Sequence, residues 1–241
     1  MNLILDFGNT RKKMAITSDK KIVYFAAQSH IDLDNIVAVE EKYEIKNAIL
    51  SSVVNDTHEI EKYLSGKYTF VKLSEQTPLP IKNNYKTGYT LGSDRLACAV
   101  AAQDYFPKQN VLVLQLGTCI TSDFITEEGL YLGGSISPGM EMRFKALHHF
   151  SDKLPLVKYQ NVDYITGRTS EESILSGVLN GIIAECNYLI EKYTSKYPCL
   201  KVIVTGGDLK EFEKTIKETA TAFPNLVISG LDLILYYNVE N

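Results

Sequence analysis

The chain has 241 residues, and its 45% of apolar residues are enough to fill the core of one large domain or two small ones. Its net charge of −4 argues against a general nucleic-acid surface, which normally carries an excess of basic residues. No apolar run approaches the roughly 18–20 residues that span a bilayer, and Met1 opens directly onto a core-like strand without the basic region of a signal peptide. We therefore expect a cytoplasmic protein that has neither nucleic acid nor a membrane as a partner.

The hydrophobic pattern alternates between strand-like and helix-like segments along the whole chain. In chain order the first half predicts a strand at 2–7, a hairpin at 12–17 and 21–28, a helix at 32–43, a strand at 47–54, a short helix at 58–66, a strand at 68–74 and a helix at 91–106. The second half predicts a strand at 111–117, a hairpin at 119–126 and 129–136, a helix at 139–149, a long helix at 170–193, a strand at 201–207, a helix at 209–217 and a closing strand at 226–230. A last helical piece follows the closing strand. This repetition predicts an α/β protein with two domains, residues 1–107 and 108–241, that have mixed sheets and a cleft between them.

The turn after the first strand, DFGNT at residues 6–10, is a candidate phosphate-binding loop. Gly8 lets the backbone bend sharply or approach a ligand closely, because it has no Cβ. Thr10 and the neighbouring N–H groups can donate to phosphate oxygens, and Lys13 can add a positive charge. Asp6 could hold a hydrated divalent cation. The alternative is an ordinary hairpin turn, since Asn, Gly and Thr are common turn residues.

The segment VLVLQLGTCITSDFIT at residues 111–126 is an imperfect second copy of the chain's opening, NLILDFGNTRKKMAIT. In both copies an apolar run ends in a polar residue, and a Gly and a hydroxylated turn follow. Gln115 stands in the second copy where Asp6 stands in the first. Gly117 and Thr118 could form a second phosphate turn, so that a nucleoside triphosphate is gripped from both sides of the cleft. Neither copy contains a P-loop or GxGxxG signature, so those two kinds of site are disfavoured.

The tetrapeptide GSDR at residues 92–95 opens the last helix of the first half. Ser93 can cap this helix, and Asp94 falls in its first turn, where the helix dipole stabilises an anion. One interpretation stops at capping and ion pairing. The other makes Asp94 the base for a substrate hydroxyl and Arg95 a clamp for an anionic group. Phosphoryl transfer suits the second interpretation, because the protein mainly positions the hydroxyl and neutralises charge.

Six motifs occur in the order found in type III pantothenate kinases, and the chain resembles this family over almost its whole length: DFGNT at 6–10, GSDR at 92–95, LGTCIT at 116–121, GGSISPG at 133–139, GRTSEESILSGVLNG at 167–181 and VTGGD at 204–208. The resemblance implies the fold of the acetate and sugar kinase/Hsp70/actin superfamily, with duplicated ribonuclease H-like (actin-like ATPase) domains, ATP in the interdomain cleft, and a homodimer. It also implies ATP-dependent phosphorylation of the primary hydroxyl of pantothenate to 4'-phosphopantothenate, the first step of coenzyme A biosynthesis.

Carried onto this sequence, the resemblance gives each candidate residue a role. Asp94 is the proton acceptor. The ATP-binding residues are Asp6, Phe7, Gly8, Asn9, Thr10, Arg11, Lys12, Lys13 and Thr118, and Asp6 also holds Mg²⁺ through water. The pantothenate-binding residues are Tyr85, Gly92, Ser93, Asp94, Arg95 and Thr169, and in such dimers a contact can come from the partner subunit.

Gln115 departs from the family pattern, in which this position is usually Asp and binds a monovalent cation such as K⁺ or NH₄⁺. An amide oxygen can coordinate such an ion but lacks the formal charge, which at a few ångströms and a moderate dielectric amounts to several kcal/mol before desolvation. We therefore expect a weakened or absent cation site. The phosphate turn, built mainly from backbone and Thr118, should survive.

Glycines mark three further segments of the second half. Gly133–Gly134 and Pro138–Gly139 bracket a segment that we expect to close over the cleft. Residues 206–208, Gly-Gly-Asp, either border the adenosine or form a plain tight turn. Gly177 and Gly181, four residues apart on one helix, favour close helix packing, which could lie at the dimer interface.

Two other functions stay open at this point. A regulator could keep the fold and bind a ligand without turnover, as an accessory transcription factor related to this family does. The presence of Asp6, Asp94 and Arg95 argues against a regulator, whereas Gln115 keeps it open. The second alternative is a different small-molecule kinase or a phosphatase of the same superfamily.

Overall fold

The computed structural model describes residues 1–54, 56–212, 215–216 and 220–240. The described chain forms two compact units. The first contains residues 1–107, the short segment Gly129–Tyr131 and the C-terminal segment that starts at Asn225, and the second contains Lys108–Glu128 and Leu132–Pro224.

Most of the helices and strands lie where the hydrophobic pattern predicts them, whereas two short strands, at residues 82–83 and 220–222, lie where it predicts none. In the first half they are β1 (Asn2–Phe7), β2 (Lys12–Ser18), β3 (Lys21–Gln28), α1 (Leu33–Glu40), β4 (Asn47–Ser52), α2 (His58–Lys67), β5 (Thr69–Lys72), β6 (Lys82–Asn83), a 3₁₀ turn (Gly88–Thr90) and α3 (Ser93–Tyr105). In the second half they are β7 (Val111–Leu116), β8 (Cys119–Ile125), β9 (Leu130–Pro138), α4 (Met140–His149), α5 (Ser170–Lys196), β10 (Lys201–Thr205), α6 (Leu209–Phe212), β11 (Ala220–Ala222) and α7 (Leu226–Glu240). For the helix predicted at 209–217, positions 213, 214 and 217 lie outside the described residues.

The sheet of the first unit has the strand order β3-β2-β1-β4-β5. Strands β1, β2 and β3 are antiparallel neighbours, whereas β4 and β5 run parallel to β1. Because β1 and β4 are central and covered on both faces, they are nearly continuous apolar runs in the sequence rather than an alternation of apolar and polar residues. Leu5 of β1 packs in one core cluster with Ile36 of α1 and Leu64 of α2.

The sheet of the second unit repeats this strand order as β9-β8-β7-β10-β11. Strand β7 pairs antiparallel with β8 and parallel with β10, as β1 does with β2 and β4. Each strand thus has a counterpart at the same position in the first sheet, which confirms the predicted duplication. Strand β9 also pairs with β6 through Leu130 and Tyr131, which belong to the first unit.

Helix α5 is the one helix in the described part of the chain that is long and apolar enough to cross a membrane by length and composition alone. Its apolar residues Ile174, Leu175, Val178, Leu179 and Ile182 are buried in the core cluster of the second unit, together with Leu112 and Leu114 of β7. A helix whose apolar stripe covers a sheet in this way is a core helix of a soluble protein.

The prediction of a closing strand at 226–230 is wrong, because these residues begin helix α7. Helix α7 packs against α3, β1 and β4, so the structure places it with the first unit rather than in a domain of residues 108–241. A short apolar run with Val and Ile fits a buried helix as well as a buried strand, and packing decides between them. Here Gly230 allows the backbones of α7 and α3 to touch, since a Cβ at Gly230 would lie 1.8 Å from the Ala97 carbonyl oxygen.

Candidate active site

Asp6 lies at the centre of a polar cluster at the end of β1. Strand pairing places it opposite Lys13 of β2 on one side and Ser51 of β4 on the other. Directly paired residues point to the same face of a sheet, so these three side chains meet. The Lys13 Nζ donates to Asp6 Oδ2 at 2.9 Å, and Ser51 also hydrogen-bonds the Asp6 carboxylate.

Burial sets the charge balance of this cluster. Asp6 is only 5% exposed, and desolvation raises the pKa of its carboxyl above the ordinary value. The Lys13 charge and its hydrogen bond lower this pKa, the charge of Asp94 raises it, and the Ser51 hydrogen bond lowers it, but burial prevails. The Asp6 carboxylate therefore favours a nearby cation beyond Lys13, which fits the divalent-ion role that the sequence predicts.

The first turn of α3 adjoins this cluster. Ser93 Oγ lies 2.8 Å from Ser51 Oγ, so Ser51 connects the end of β1 to the start of α3. Asp94 follows Ser93, and its Oδ1 accepts the backbone N–H of Arg95 at 2.9 Å. Gly92 makes room for this carboxylate, since a Cβ at Gly92 would lie 2.5 Å from Asp94 Oδ1. The predicted residues Asp6, Lys13, Ser93 and Asp94 are thus brought together.

Ser51 is the member of this cluster that the sequence analysis missed. It is the second-last residue of an apolar strand, NAILSS, and no neighbouring glycine or charge distinguishes it. The usable signal is topological: β4 runs parallel to β1, and the carboxyl ends of adjacent parallel strands face the same edge, where ligands bind in α/β sheets.

Arg95 is buried, at 4% exposure, and faces aromatic side chains. Its guanidinium lies 5.7 Å from the centre of the Tyr85 ring, and the Tyr85 ring lies 6.2 Å from that of Tyr131. The attraction between a guanidinium and an aromatic face orients both groups. The structure therefore groups the two predicted substrate residues Tyr85 and Arg95.

The loop after β1 is closed by a hydrogen bond from the Gly8 N–H to the Arg11 carbonyl at 3.1 Å. The side chains of Asn9, Thr10 and Arg11 are exposed, whereas Phe7 is buried beneath Lys12, whose Nζ lies 4.8 Å from the ring centre. The hydrogen bond is that of a hairpin turn, and the exposed donors on it are suited to phosphate oxygens. The geometry of this turn is thus compatible both with an ordinary hairpin turn and with a phosphate-binding loop.

Gln115 occupies in β7 the position that Asp6 occupies in β1. Its paired residues are Thr121 of β8 and Thr205 of β10, the counterparts of Lys13 and Ser51. The acid and its basic partner are therefore both replaced, and this position in the second unit is neutral. The buried carboxylate on this face is Asp123, which accepts from Thr121 Oγ1 at 3.2 Å.

The turn at Gly117 and Thr118, which follows β7, is fixed by two close backbone approaches. On one side Gly139 donates its N–H to the Thr118 carbonyl at 3.1 Å, and a Cβ at Gly139 would lie 1.9 Å from the Gly117 oxygen. On the other side Gly206, with φ of +111°, lies so close that a Cβ would fall 2.0 Å from the Leu116 oxygen. Only glycine fits these two positions. Gly139 of GGSISPG and Gly206 of VTGGD therefore hold the Gly117–Thr118 turn in place, and Thr118 is exposed on it.

Thr169 lies at the start of α5, where its hydroxyl accepts the N–H of Glu172 at 3.1 Å as an N-cap. It is exposed on the wall of a groove of about 1070 Å³ in the second unit. Arg143, Phe150 and Gly177 also line this groove. Among the predicted residues, Thr118, Gln115 and Thr169 belong to the second unit and the others to the first.

Comparison with known proteins finds relatives of one family over nearly the whole chain. Curated relatives named type III pantothenate kinase include those of Christiangramia forsetii, 40% identical over 99% of both chains, and Cytophaga hutchinsonii, 42% identical over 99% of this chain and all of the relative.

Solved structures with the same fold include a conserved Campylobacter jejuni protein assigned to the Baf family of transcriptional activators, with a TM-score of 0.63 and 22% identity over 99% of this chain and 100% of that one. They also include a glucokinase from an Antarctic psychrotroph, with a TM-score of 0.51 and 12% identity over 98% of each chain. The fold is that of the actin-like ATPases and sugar kinases. The family model of type III pantothenate kinase matches residues 2–192, and the chain belongs to this family.

Proposed function

We propose that the chain carries out the reaction of its family, the ATP-dependent phosphorylation of pantothenate to 4'-phosphopantothenate that begins coenzyme A biosynthesis. The cluster in the first unit is the observation that supports this most directly. Asp94 follows Ser93, which is linked through Ser51 to the buried Asp6 and its ion-pair partner Lys13. Phosphoryl transfer to an alcohol requires a positioned proton acceptor and neutralisation of phosphate charge, and this cluster offers both.

In the proposed mechanism Asp94 accepts the proton of the pantothenate hydroxyl as the oxygen attacks the terminal phosphorus of ATP. The bond from that phosphorus to the bridging oxygen breaks, and ADP leaves with the bridging oxygen. The hydrogen bond from the Arg95 N–H orients the Asp94 carboxylate. The buried Arg95 guanidinium, held against Tyr85, binds the anionic end of the substrate, and Gly92, Ser93 and Thr169 complete the pantothenate contacts. Because the transition state of phosphoryl transfer is loose, holding the hydroxyl in line contributes most of the effect.

The phosphates are bound by the loop of residues 6–13 and by Thr118. Lys13 and the N–H groups of the first loop donate to phosphate oxygens, and Thr118 donates from the second turn. Asp6 fits as the anchor of a hydrated divalent ion, because its buried carboxylate is only partly balanced by Lys13. Mg²⁺ bound there with ATP would supply neutralisation of phosphate charge.

A monovalent cation is not proposed as a requirement. The position that holds it in the family is occupied by Gln115, between Thr121 and Thr205, and none of these three side chains carries a charge. Gln115 therefore adds no charge that would attract K⁺ or NH₄⁺, and the carboxylate on this face, Asp123, is engaged by the Thr121 hydroxyl.

The remaining parts of the proposal are a cytoplasmic location and a homodimer. The groove beside Thr169 carries exposed apolar side chains, of which Phe150 is 84% exposed, and such a surface suits a second copy of the chain. The regulator interpretation has less support. The curated relatives at about 40% identity carry the kinase name, and the likeness to the Baf family structure at 22% identity concerns the fold alone.

The test is the ADP released by the purified protein with Mg-ATP, with and without pantothenate, together with detection of the phosphorylated product. Asp94→Asn should reduce kcat by a factor of about 10²–10⁴ with little change in the affinity for ATP, because it removes the proton acceptor. Asp104→Asn is the matched control, since Asp104 lies on the same helix in an exposed ion pair with Lys20. Absence of pantothenate-dependent ADP release from the wild-type protein would refute the proposal.

A further inference from the structure

Three side chains of the second unit form what we call the corner brace: Ser137, Arg143 and Glu185. Arg143, on α4, donates from Nη2 to the Glu185 carboxylate on α5. Ser137, near the end of β9, donates to the other Glu185 oxygen and lies 3.5 Å from Arg143 Nη2. The Arg143 Nε donates to the Pro138 carbonyl at 2.8 Å. The brace thus ties the corner between β9 and α4 to the long core helix α5.

This corner is the support of the second phosphate turn. Pro138 is followed by Gly139, whose N–H donates to the Thr118 carbonyl at 3.1 Å and whose Cα packs against the Gly117 backbone. A displacement of Pro138 therefore moves Gly139, and with it the Thr118 carbonyl. Glu185 is thus connected to Thr118 through the Arg143 side chain, the Pro138 carbonyl that Arg143 contacts, and the backbone hydrogen bond of the next residue, Gly139.

We propose that Ser137, Arg143 and Glu185 are positioning residues that set the nucleotide affinity of the Gly117–Thr118 turn. The proposal rests on the proposed function, in which Thr118 contacts ATP. Arg143 is suited to this because its planar guanidinium donates in fixed directions to a carboxylate and a carbonyl together, which the single ammonium of lysine does not reproduce. The Arg143 and Glu185 side chains are 22% and 28% exposed, so the pair is shielded from much of the solvent.

The experiment measures the binding of a non-hydrolysable Mg-ATP analogue by calorimetry, and the KM values for ATP and pantothenate, in Glu185→Gln, Arg143→Lys, Ser137→Ala and the double variant of Glu185→Gln with Arg143→Lys. Glu185→Gln and Arg143→Lys should each weaken nucleotide binding about fivefold to thirtyfold, and Ser137→Ala about threefold. The double variant should resemble the single ones, because the side chains act as one unit. The pantothenate KM of Glu185→Gln and Ser137→Ala should stay within about twofold of the wild type.

Lys145→Met is the matched control, because Lys145 forms an exposed ion pair with Glu141 on the same helix α4. It should leave nucleotide binding unchanged. A purely structural brace would lower Tm in all brace variants without changing the nucleotide Kd of the folded protein, and that result overturns the proposal, as do additive effects in the double variant. If Glu185→Gln does not fold, the milder Ser137→Ala decides. Because nucleotide binding is measured without turnover, failure of pantothenate phosphorylation in the wild type would refute the proposed function and leave this test intact.

Discussion

At the scale of one residue, the burial of Asp6 shows how a side chain suited to binding can lower the stability of the folded chain. Its carboxylate is buried, and only part of the resulting rise in pKa is offset by Lys13 and Ser51. The folded chain therefore carries an anion that would be better solvated in the unfolded chain. The divalent ion proposed at Asp6 would supply the missing positive charge, and on that proposal the unfavourable burial of Asp6 is a consequence of its role.

Replacing Asp6 by Asn should separate stability from activity. Because the folded-state pKa of Asp6 lies above the unfolded value of 3.8, the folded protein binds more protons between these two values, and stability falls as the pH rises through them. Asp6→Asn has no carboxyl to ionise and does not lose stability in this way, so its Tm at pH 8 should equal or exceed that of the wild type. The difference in Tm should become smaller as the pH falls towards about 4. Turnover should fall at least about 100-fold, because charge stabilisation at the phosphates is lost.

Calorimetric Tm values between about pH 4 and pH 8 provide the measurement. Asp104→Asn is the control, because it removes only an exposed ion pair with Lys20 and should change Tm little. A lower Tm of Asp6→Asn at pH 8 would mean that the ion pair with Lys13 outweighs burial, contrary to this account.

Gln115, the uncharged counterpart of Asp6, gives a prediction about how activity depends on monovalent cations. We expect kcat/KM of the wild type to vary less than about twofold among sodium, potassium and ammonium salts at equal ionic strength. Gln115→Asp should gain at least about fivefold stimulation by potassium over sodium, because it restores a charge that attracts the ion. Gln115→Asn keeps the site neutral and serves as the control. Strict potassium dependence of the wild type would contradict the prediction.

At the scale of elements, the contact of α3 with α7 depends on one glycine. Gly230→Ala would place a Cβ 1.8 Å from the Ala97 carbonyl oxygen, so the two helices must separate. We expect a loss of about 2–3 kcal/mol in the free energy of unfolding, measured by urea denaturation. Gly66→Ala in α2 is the control, because no atom lies within 4 Å of its Cβ. It should be stabilising by about 0.5–1 kcal/mol, and equal effects of the two variants would contradict the argument.

Nine of the eleven strands in the described residues could be predicted from the sequence, because their apolar runs and the turns between them are local signals. The short strands β6 and β11 have no such apolar run and could not be predicted in this way. Helix α7 could not be predicted either, since the run LVISG has the length and composition of a buried strand. What makes it a helix is its packing on α3 through Gly230, a contact between residues more than a hundred positions apart. Ser51 escaped prediction for the same reason, because its partner Asp6 is brought to it by sheet order alone.

At the scale of the whole molecule, the two units share a strand order but differ in charge at matching positions. Asp6, Lys13 and Ser51 of the first sheet correspond to Gln115, Thr121 and Thr205 of the second. The sequence repeat revealed the Asp6 and Gln115 pair, whereas only the register of the strands revealed that Thr121 replaces the lysine as well. The duplication therefore preserves the turn and its backbone. The acid and base at these matching positions occur in the first copy, and the second copy carries its buried carboxylate at Asp123 instead.

The groove beside Thr169 gives a last prediction, for assembly. Soluble proteins rarely leave a large apolar side chain as open as Phe150, which lines this groove and is 84% exposed. If a second copy covers Phe150, Phe150→Asp should weaken the dimer at least about thirtyfold, or about 2 kcal/mol, because it buries a charge in the interface. The same variant should raise the KM for pantothenate, since Thr169 lines the same groove. Val23→Asp, at an exposed apolar residue of β3, should change neither the mass measured by light scattering nor this KM. Two results would contradict a dimer formed through this surface. One is a wild-type protein that is monomeric at micromolar concentration, and the other is a Phe150→Asp protein that remains a dimer.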